Sequence, residues 1–147
     1  MSHIVQFIKT DDRALPPTNA YAESAGWDLY VLESTTIPIG QGVDVRSGLA
    51  VALPPGCFAR IVGRSSALRK RGLLVVEGII DEGFRGELFS YVFNVGTEGE
   101  VTLQPGESVA QVIVHQALPV AWHWCPSQLP ASRRGERGFG SSGGFAS

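Results

Sequence analysis

Short runs rich in valine, isoleucine and phenylalanine, separated by glycine and proline, are the dominant feature of this sequence. The chain contains 18 glycines and 9 prolines, and this punctuation predicts many short strands joined by turns. One run, VDVRSGLAVAL, places Val43, Val45, Leu49, Val51 and Leu53 on one face at period two. Such alternation is typical of a half-buried strand.

A second run, ELFSYVFNV, alternates in the same way, with Phe89, Tyr91, Phe93 and Val95 on one face. The runs CFARIV, EVTL and SVAQVIVHQA predict further strands, and the turn segments LPPG, NVGTEGE and LQPGE separate them. Strands at this regular spacing indicate an all-β, jelly-roll-like β-sandwich.

The segment GRSSALRKRGLL departs from this pattern and predicts one short helix. Ser65 or Ser66 is suited to cap its start, and Gly72 is suited to end it. The three basic residues Arg69–Arg71 fall in the last turn, where cations are favourable near the negative end of the helix dipole.

The length of 147 residues corresponds to about one domain. Apolar periodicity stops at Pro126, so we divide the chain into a β domain, residues 1–125, and a flexible C-terminal arm, residues 126–147. The formal net charge of −2 offers no basic surface for a nucleic-acid backbone. The sequence carries no recognisable signal for export or for membrane insertion. Cys57 and Cys125 are interpreted as reduced packing residues. We therefore expect a cytoplasmic protein without a membrane partner.

Two internal segments are candidates for chemistry. In GRSS, a helix start with Arg64 and two hydroxyls would hold a phosphate, although an ordinary capped surface helix has the same composition. The segment EGIIDEGFRGEL predicts a tight hairpin with its backbone exposed at Gly78 and a rigid carboxylate at Asp81, and a plain turn is the alternative. Arg85 is predicted either to pair with Asp81 or Glu82 or to serve function. A rigid carboxylate beside a phosphate site would act as a general base for water.

Three further features are ambiguous when each is taken alone. Asp28 in AGWDLY is either a turn residue or a ligand, and the amide of Gln111 points into a cleft or into solvent. The tail RGERGFGSSGG is rich enough in glycine to form an anion-binding nest, with Arg134 and Arg137 nearby and Phe139 able to stack on a flat ring. A disordered tail has the same composition. The tail lacks the Gly-Lys-Ser/Thr ending of a P-loop, and neither a zinc spacing nor a G-x-S-x-G elbow is present.

In this order, AGWDLY, GRSSALRKRG, GIIDEGFRG, GESVAQVIV and RGERGFGSSG resemble the five motifs of the homotrimeric dUTPases. The resemblance implies a jelly-roll trimer with shared active sites that converts dUTP to dUMP and pyrophosphate with Mg²⁺. The resemblance further implies that this reaction limits uracil incorporation into DNA and supplies dUMP for thymidylate synthesis.

The same resemblance assigns roles to residues of the first four motifs. Asp81 would activate the attacking water at the α-phosphorus, and Ser65, with Arg64 and Ser66, would hold the phosphates and stabilise the leaving oxygen. Gln111 would contact the phosphate chain, and Asp28 would reach the metal through water. Magnesium suits such a site because it keeps several waters and binds substrate phosphates.

Uracil would be read mainly by the third motif. The residues implied are Val75, Glu77, Gly78, Ile79, Ile80 and Asp81, largely through backbone groups. Unpaired buried polar groups cost about 1–3 kcal/mol each, which is enough to reject cytosine. Phe84 stands in place of the family's tyrosine against the deoxyribose and lacks its hydroxyl, and Phe89 is a further implied contact.

In the fifth motif, Arg134 would bind the γ-phosphate and Phe139 would stack over uracil. Gly140, Ser141 and Ser142 would wrap the terminal phosphates as the arm closes over a neighbouring subunit's site. Arg137 replaces a glycine of the family, so either it is strained by a positive φ or it adds a phosphate contact.

Three alternatives compete with this assignment. The related dCTP deaminases share motifs two and three but use a glutamate where this chain has Tyr91. A regulatory protein that binds dUTP and a protein partner is a second alternative, and a structural jelly-roll protein with a flexible end is a third.

Overall fold

The structure is a computed structural model that describes residues 3–140 and 142–143. The helix and strands, numbered in chain order, are β1 (Gln6–Lys9), β2 (Trp27–Leu29), β3 (Thr35–Ile37), β4 (Gly42–Ala52), β5 (Cys57–Gly63), α1 (Ser65–Arg71), β6 (Leu73–Val76), β7 (Gly78–Ile80), β8 (Glu87–Asn94), β9 (Val101–Leu103) and β10 (Ala110–Gln116). The strands predicted from CFARIV, EVTL and SVAQVIVHQA are all present.

Two four-stranded sheets and one two-stranded sheet make up the domain. The first has the order β1-β4-β8-β6, the second β2-β10-β5-β7, and β3 pairs with β9. All pairings are antiparallel. The core between the sheets includes Leu49, Leu73 and Val92 from the first and Ala59 and Ile61 from the second. This arrangement confirms the all-β, jelly-roll-like sandwich.

The long strand β4 contains an irregularity that preserves its predicted inward face. Arg46 pairs with Phe89 whereas Ala50 pairs with Glu87, so the register shifts within β4. The shift is an even number of residues, and odd-numbered side chains therefore stay on the same side. Val45, Leu49 and Val51 are accordingly buried, as the alternation predicts.

The aromatic alternation of β8 faces outward rather than into the core. Leu88 and Val92 are buried, whereas Phe89 and Tyr91 are about two-fifths exposed. The buried face also contains the polar residues Ser90 and Asn94, so the more apolar face of the pattern is not the one that is buried. On the adjacent β6, Leu74 and Val76 are also exposed, so the two strands share an apolar outer face.

Helix α1 differs from its prediction at the start and matches it at the end. The N-cap residue is Arg64, in extended conformation and without a side-chain capping hydrogen bond, so the predicted serine cap is wrong. Ser65 and Ser66 are instead the first two helical residues. Gly72 ends the helix with φ of 64°, after the basic last turn.

The third-motif segment crosses between sheets and does not form the predicted tight hairpin. Strand β6 pairs with β8 in the first sheet, and β7 pairs with β5 in the second. Glu77 is the single residue between β6 and β7. Both strands lie at the edge of their sheets, so each has one row of backbone groups without a strand partner in the described chain.

Beyond β10 the described chain forms neither helix nor strand, and Leu118, Val120, Trp122 and Trp124 are exposed. Cys57 is buried, but Cys125 is exposed, so the predicted packing role of Cys125 is wrong. Within residues 3–140 and 142–143, none of the helical structure is long and apolar enough to cross a membrane.

Candidate active site

The first, second and fourth motifs meet at the C-terminal end of β5. Strand pairing sets Asp28 of β2 opposite Gln111 of β10. The Arg64 side chain reaches across, with its Nε 3.3 Å from Asp28 Oδ1, and its Nη1 donates to the Ser108 carbonyl at 3.2 Å. The backbone N–H of Arg64 also donates to the Val109 carbonyl. These contacts fix a guanidinium and a carboxylate side by side on a partly exposed surface.

Two serines follow Arg64 directly in the sequence. Ser65 is exposed and Ser66 is half-buried at the beginning of α1. Since neither hydroxyl caps the helix or bonds to another described residue, both remain available to a ligand. With Arg64 they present one cation and two donors, which is a donor set suited to phosphate oxygens.

Gln111 is held rather than directed freely into solvent. Its Nε2 donates to the Gly63 carbonyl at 3.3 Å. A Cβ added at Gly26 would lie 2.0 Å from Gln111 Oε1, so the glycine of AGWDLY makes room for this amide. The amide therefore has a defined place, and its residue is paired with Asp28 across β10 and β2.

Asp81 follows β7 directly and is exposed. Its carbonyl accepts the N–H of Phe84 at 3.0 Å, which closes a tight turn. Its carboxylate makes no hydrogen bond or ion pair with the rest of the described chain. Arg85 donates to the carbonyls of Glu82 and Phe84 and to no carboxylate of the described chain, so the ion-pair alternative for Arg85 is not the arrangement observed.

The predicted base-reading residues lie along β6 and β7. Val75 is paired with β8, and Gly78, Ile79 and Ile80 are paired with β5, which leaves the opposite edge of each strand open. Glu77 joins the two strands, and its carboxylate is bound by Arg60.

Two phenylalanines occupy different places near this segment. Phe84 is exposed, and its ring lies over Gly86, where an added Cβ would be 2.6 Å from the ring edge. Phe89 projects from the apolar outer face of β8. Each ring is open to a ligand or to another chain.

The structure does not bring the two halves of the predicted site together within one chain. Ile80 pairs with Ala59, whereas Arg64 lies five residues further along and beyond the other end of β5. At the rise of an extended strand this is roughly 17 Å. Reacting groups must approach within about 3.5 Å of the substrate, so Asp81 and Arg64 of one chain do not serve one phosphorus.

The described side-chain hydrogen bonds of the fifth-motif arginines stay within the arm. Arg134 donates to the carbonyls of Arg137 and Gly138, and Arg137 donates to those of Arg134 and Arg133. Arg137 does not have a positive φ, so the strained alternative for this position is not the conformation observed.

The remaining fifth-motif residues differ in how far the structure covers them. Phe139 is fully exposed, and Gly140 has φ of 78°. Gly140 and Ser142 are described, whereas Ser141 lies outside the described residues.

Mg²⁺ is compatible with the side chains around Asp28. The described chain contains no group of three or more His, Cys, Asp or Glu residues placed to hold a metal. Asp28 alone offers a carboxylate there, half-buried and beside Arg64. Mg²⁺ binds through one or two carboxylates, water and substrate phosphates, so a single carboxylate fits an ion that arrives with a nucleotide.

Three residues of this region were not anticipated from the sequence. Gly26 creates space for Gln111, Ser108 accepts from Arg64 through its carbonyl, and Arg60 binds Glu77. The role of Arg60 could have been predicted from an arginine at an outward position of CFARIV. Gly26 and Ser108 act through the position of their backbone, so their side chains do not indicate these roles.

Comparison with known proteins supplies the family. The dUTPase family model matches residues 12–143. The deoxyuridine 5'-triphosphate nucleotidohydrolase of Mycobacterium marinum is 35% identical over 153 residues, covering 100% of this chain and 99% of that protein.

Solved structures have the same fold. The dUTPase G164S mutant of Staphylococcus bacteriophage 80alpha with dUpNHpp matches with a TM-score of 0.89 at 21% identity, covering 95% of this chain and 98% of the other. A mutant dUTPase from phage phi11 of S. aureus, which coordinates a structural Mg(II) ion, matches with a TM-score of 0.79 at 17% identity, covering 84% and 97%. Three findings agree: the order of the five motifs in the sequence, the β-sandwich fold and the match over most of the chain. This chain belongs to the dUTPase family.

Proposed function

We propose that this protein hydrolyses dUTP to dUMP and pyrophosphate. One observation supports this proposal best. Arg64 is paired with Asp28 at 3.3 Å, and the serines that follow it, Ser65 and Ser66, have unengaged hydroxyls. The family assignment supports the substrate, since the matched Mycobacterium marinum protein is a deoxyuridine 5'-triphosphate nucleotidohydrolase. The reaction limits uracil incorporation into DNA and supplies dUMP for thymidylate synthesis.

Asp81 is the general base. Its exposed carboxylate has no competing partner in the described chain, so it is available to accept a proton from water. The water oxygen forms a bond to the α-phosphorus as the bond from that phosphorus to the bridging oxygen breaks. The proton passes to Asp81, and the electron pair of the broken bond leaves with pyrophosphate.

Arg64, Ser65, Ser66 and Gln111 hold the phosphate chain. Arg64 supplies a fixed positive charge, and the serine hydroxyls donate to the oxygens on which negative charge develops. Gln111 contributes an amide donor from β10. Asp28 orients Arg64 and would hold Mg²⁺ through water, and the ion, when bound, would offset phosphate charge.

The open edges of β6 and β7 read the base. Val75, Glu77, Gly78, Ile79 and Ile80 present backbone donors and acceptors that match the O4 and N3–H of uracil. Cytosine carries the opposite pattern at these positions and leaves buried groups unpaired, which costs about 1–3 kcal/mol for each group.

Two aromatic rings complete the nucleoside site. Phe84 packs against the deoxyribose, and its position over Gly86 supports that placement. Phe89 adds an apolar contact from the outer face of β8.

The active protein is a homotrimer with sites shared between chains. The roughly 17 Å along β5 between the Asp81 end and Arg64 supports this, because each half-site needs the other half from a neighbour. The apolar outer face of β8 and β6 is the surface that association would cover.

The arm, residues 126–147, closes over a neighbour's site. Arg134 binds the γ-phosphate, Phe139 stacks on uracil, and Gly140, Ser141 and Ser142 follow the terminal phosphates. Arg137, which has no positive φ, adds a second cation. The arm's exposed position, with no contact to the sandwich among its described hydrogen bonds, supports a partner outside its own chain.

We place the protein in the cytoplasm.

The deciding experiment supplies dUTP, dCTP, dTTP and UTP separately with Mg²⁺ and follows pyrophosphate and ammonia. We expect pyrophosphate chiefly from dUTP, with dCTP, dTTP and UTP hydrolysed far more slowly. Ammonia from dCTP would replace the proposal with deamination, whereas tight dUTP binding without pyrophosphate would indicate a regulatory protein. Omission of Mg²⁺ should lower the rate, because phosphate charge would no longer be offset.

A further inference from the structure

The position of β7 depends on one residue. Glu77 is the only link between β6 in the first sheet and β7 in the second. A chain that changes sheets over a single residue has its direction set by the backbone and contacts of that residue. Whatever holds Glu77 therefore also sets where β7 begins.

Arg60 holds Glu77 through a two-pronged ion pair. Arg60 Nε lies 2.6 Å from Glu77 Oε1, and Nη2 lies 2.7 Å from Oε2. Parallel guanidinium–carboxylate bonds of this kind add geometric specificity as well as attraction. The hydrogen bonds from Arg60 hold the pKa of Glu77 below its usual value, so the pair stays charged at neutral pH.

The pair is placed to fix strand register. Arg60 of β5 is directly opposite Ile79, so Glu77 lies on the diagonal, two residues earlier on the same face. Strand β7 has three residues and, within the described chain, one neighbouring strand. So short an edge strand has little else to specify its alignment, and a slip of one residue reverses which groups face each way.

We propose that Arg60 is a positioning residue for base recognition, because its pair with Glu77 fixes the register of β7 and so the backbone donors and acceptors presented to uracil. The inference rests on the proposed dUTP hydrolysis and adds a determinant of specificity to it. Arg60 acts through Glu77 and β7 and need not touch the nucleotide.

The test compares dUTP and dCTP as substrates for pyrophosphate release by the full-length protein. Arg60→Ala should lower the ratio of kcat/KM for dUTP to that for dCTP by about tenfold, the loss expected when one hydrogen bond to the base is misplaced. The change should appear mainly in KM. Arg60→Lys, which keeps the charge but loses the fork, should give an intermediate ratio.

The reversed pair, Arg60→Glu with Glu77→Arg, should recover much of the selectivity lost in Arg60→Ala. Arg46→Ala is the matched control, because Arg46 makes a similar fork with Glu87 at 2.9 and 3.0 Å but lies in the other sheet. That variant should lower Tm without changing the dUTP to dCTP ratio.

Two results would overturn the inference and are distinguishable from failure of the proposed function. An unchanged ratio in Arg60→Ala, with or without a lower Tm, would make the pair structural only. Equal loss of the ratio in Arg46→Ala would mean that selectivity follows stability and not the register of β7. If the unaltered protein released no pyrophosphate from dUTP, the proposed function itself would fail before any variant was compared.

Discussion

Asp81 and Arg64 lie at opposite ends of β5 in the same chain. Asp81 follows Ile80, which pairs with Ala59 near the beginning of β5, and Arg64 follows the last residue of that strand. The separation along the strand is roughly 17 Å. This separation supports the proposal that the base and the phosphate-binding cation of one reaction come from different chains.

Subunit mixing tests this conclusion. Asp81→Asn and Arg64→Ala should each be nearly inactive alone, whereas trimers formed by co-expressing the two should regain activity. With random assembly, about a quarter of the sites would combine an intact Asp81 with an intact Arg64. The measurement is the steady-state rate of pyrophosphate release.

The matched control mixes Arg64→Ala with Asp28→Asn. Asp28 and Arg64 are in contact within one chain. In the mixed trimers, every pair of these two residues therefore still carries one of the two substitutions. No recovery is expected. Equal recovery in both mixtures, or none in either, would contradict a site divided between chains.

Asp81→Asn should separate binding from turnover. The amide keeps the shape of the carboxylate but does not accept the proton from water, so kcat should fall about 10²- to 10⁴-fold. The affinity for a non-hydrolysable dUTP analogue should change little, because Asp81 has no described partner whose loss would disturb the strand. Unchanged kcat would remove Asp81 from the role of base.

The sequence predicted the strands and the identity of the site motifs better than their arrangement. Alternation in β4 survived because its register shift is even. In β8 the same alternation predicted burial of the wrong face, because both faces carry apolar residues. Pairing between β6, β7 and their distant partners is a long-range property, and a local turn pattern such as Asp-Glu-Gly does not encode it.

Gly26→Ala should damage the site without unfolding the protein. The new Cβ would lie 2.0 Å from Gln111 Oε1, the end of a flexible side chain that is able to move. Displacement of Gln111 would break its bond to Gly63, and we expect KM for dUTP to rise several-fold with Tm little changed. Gln111→Ala is the companion variant.

If Gly26→Ala and Gln111→Ala have similar kinetic effects, and the double variant is no worse than either, the two residues act as one unit. Additive losses would contradict this, since they would give Gly26 a role independent of the amide. Gly40→Ala would be a poor control because Gly40 has φ of 72°.

Removal of the arm should leave a folded trimer with severely reduced activity. A chain ending at Leu129 loses Arg134 and Phe139 but keeps the ten strands that the structure describes. Circular dichroism and gel filtration should resemble those of the full chain, while pyrophosphate release falls at least tenfold. Loss of the trimer would show that the arm is structural.

Within the arm, Phe139 offers a finer comparison. Phe139→Trp preserves a stacking ring and should retain most activity, whereas Phe139→Ala should raise KM. The ring is fully exposed in the described structure, so neither change should alter Tm. Similar kinetics for both variants would exclude stacking on the base.

Acid sensitivity should depend on Glu87. Arg46 donates to both of its carboxylate oxygens, and Thr10 adds a third hydrogen bond. The bonds from Arg46 hold the pKa of Glu87 below its ordinary value of 4.5. A depressed pKa contributes stability that is present above the unfolded value and is lost as pH falls through the folded value.

The expected result is a smaller dependence of unfolding free energy on pH in Glu87→Gln than in the unaltered protein, confined to the range below about pH 4.5. Urea unfolding at neutral and acid pH measures it. Glu98→Gln is the control, because Glu98 is exposed and makes no ion pair in the described chain. If the unaltered protein and Glu87→Gln lost stability equally on acidification, the other carboxylates whose pKa an arginine lowers, Asp11 beside Arg13 and Glu77 beside Arg60, would be responsible rather than Glu87.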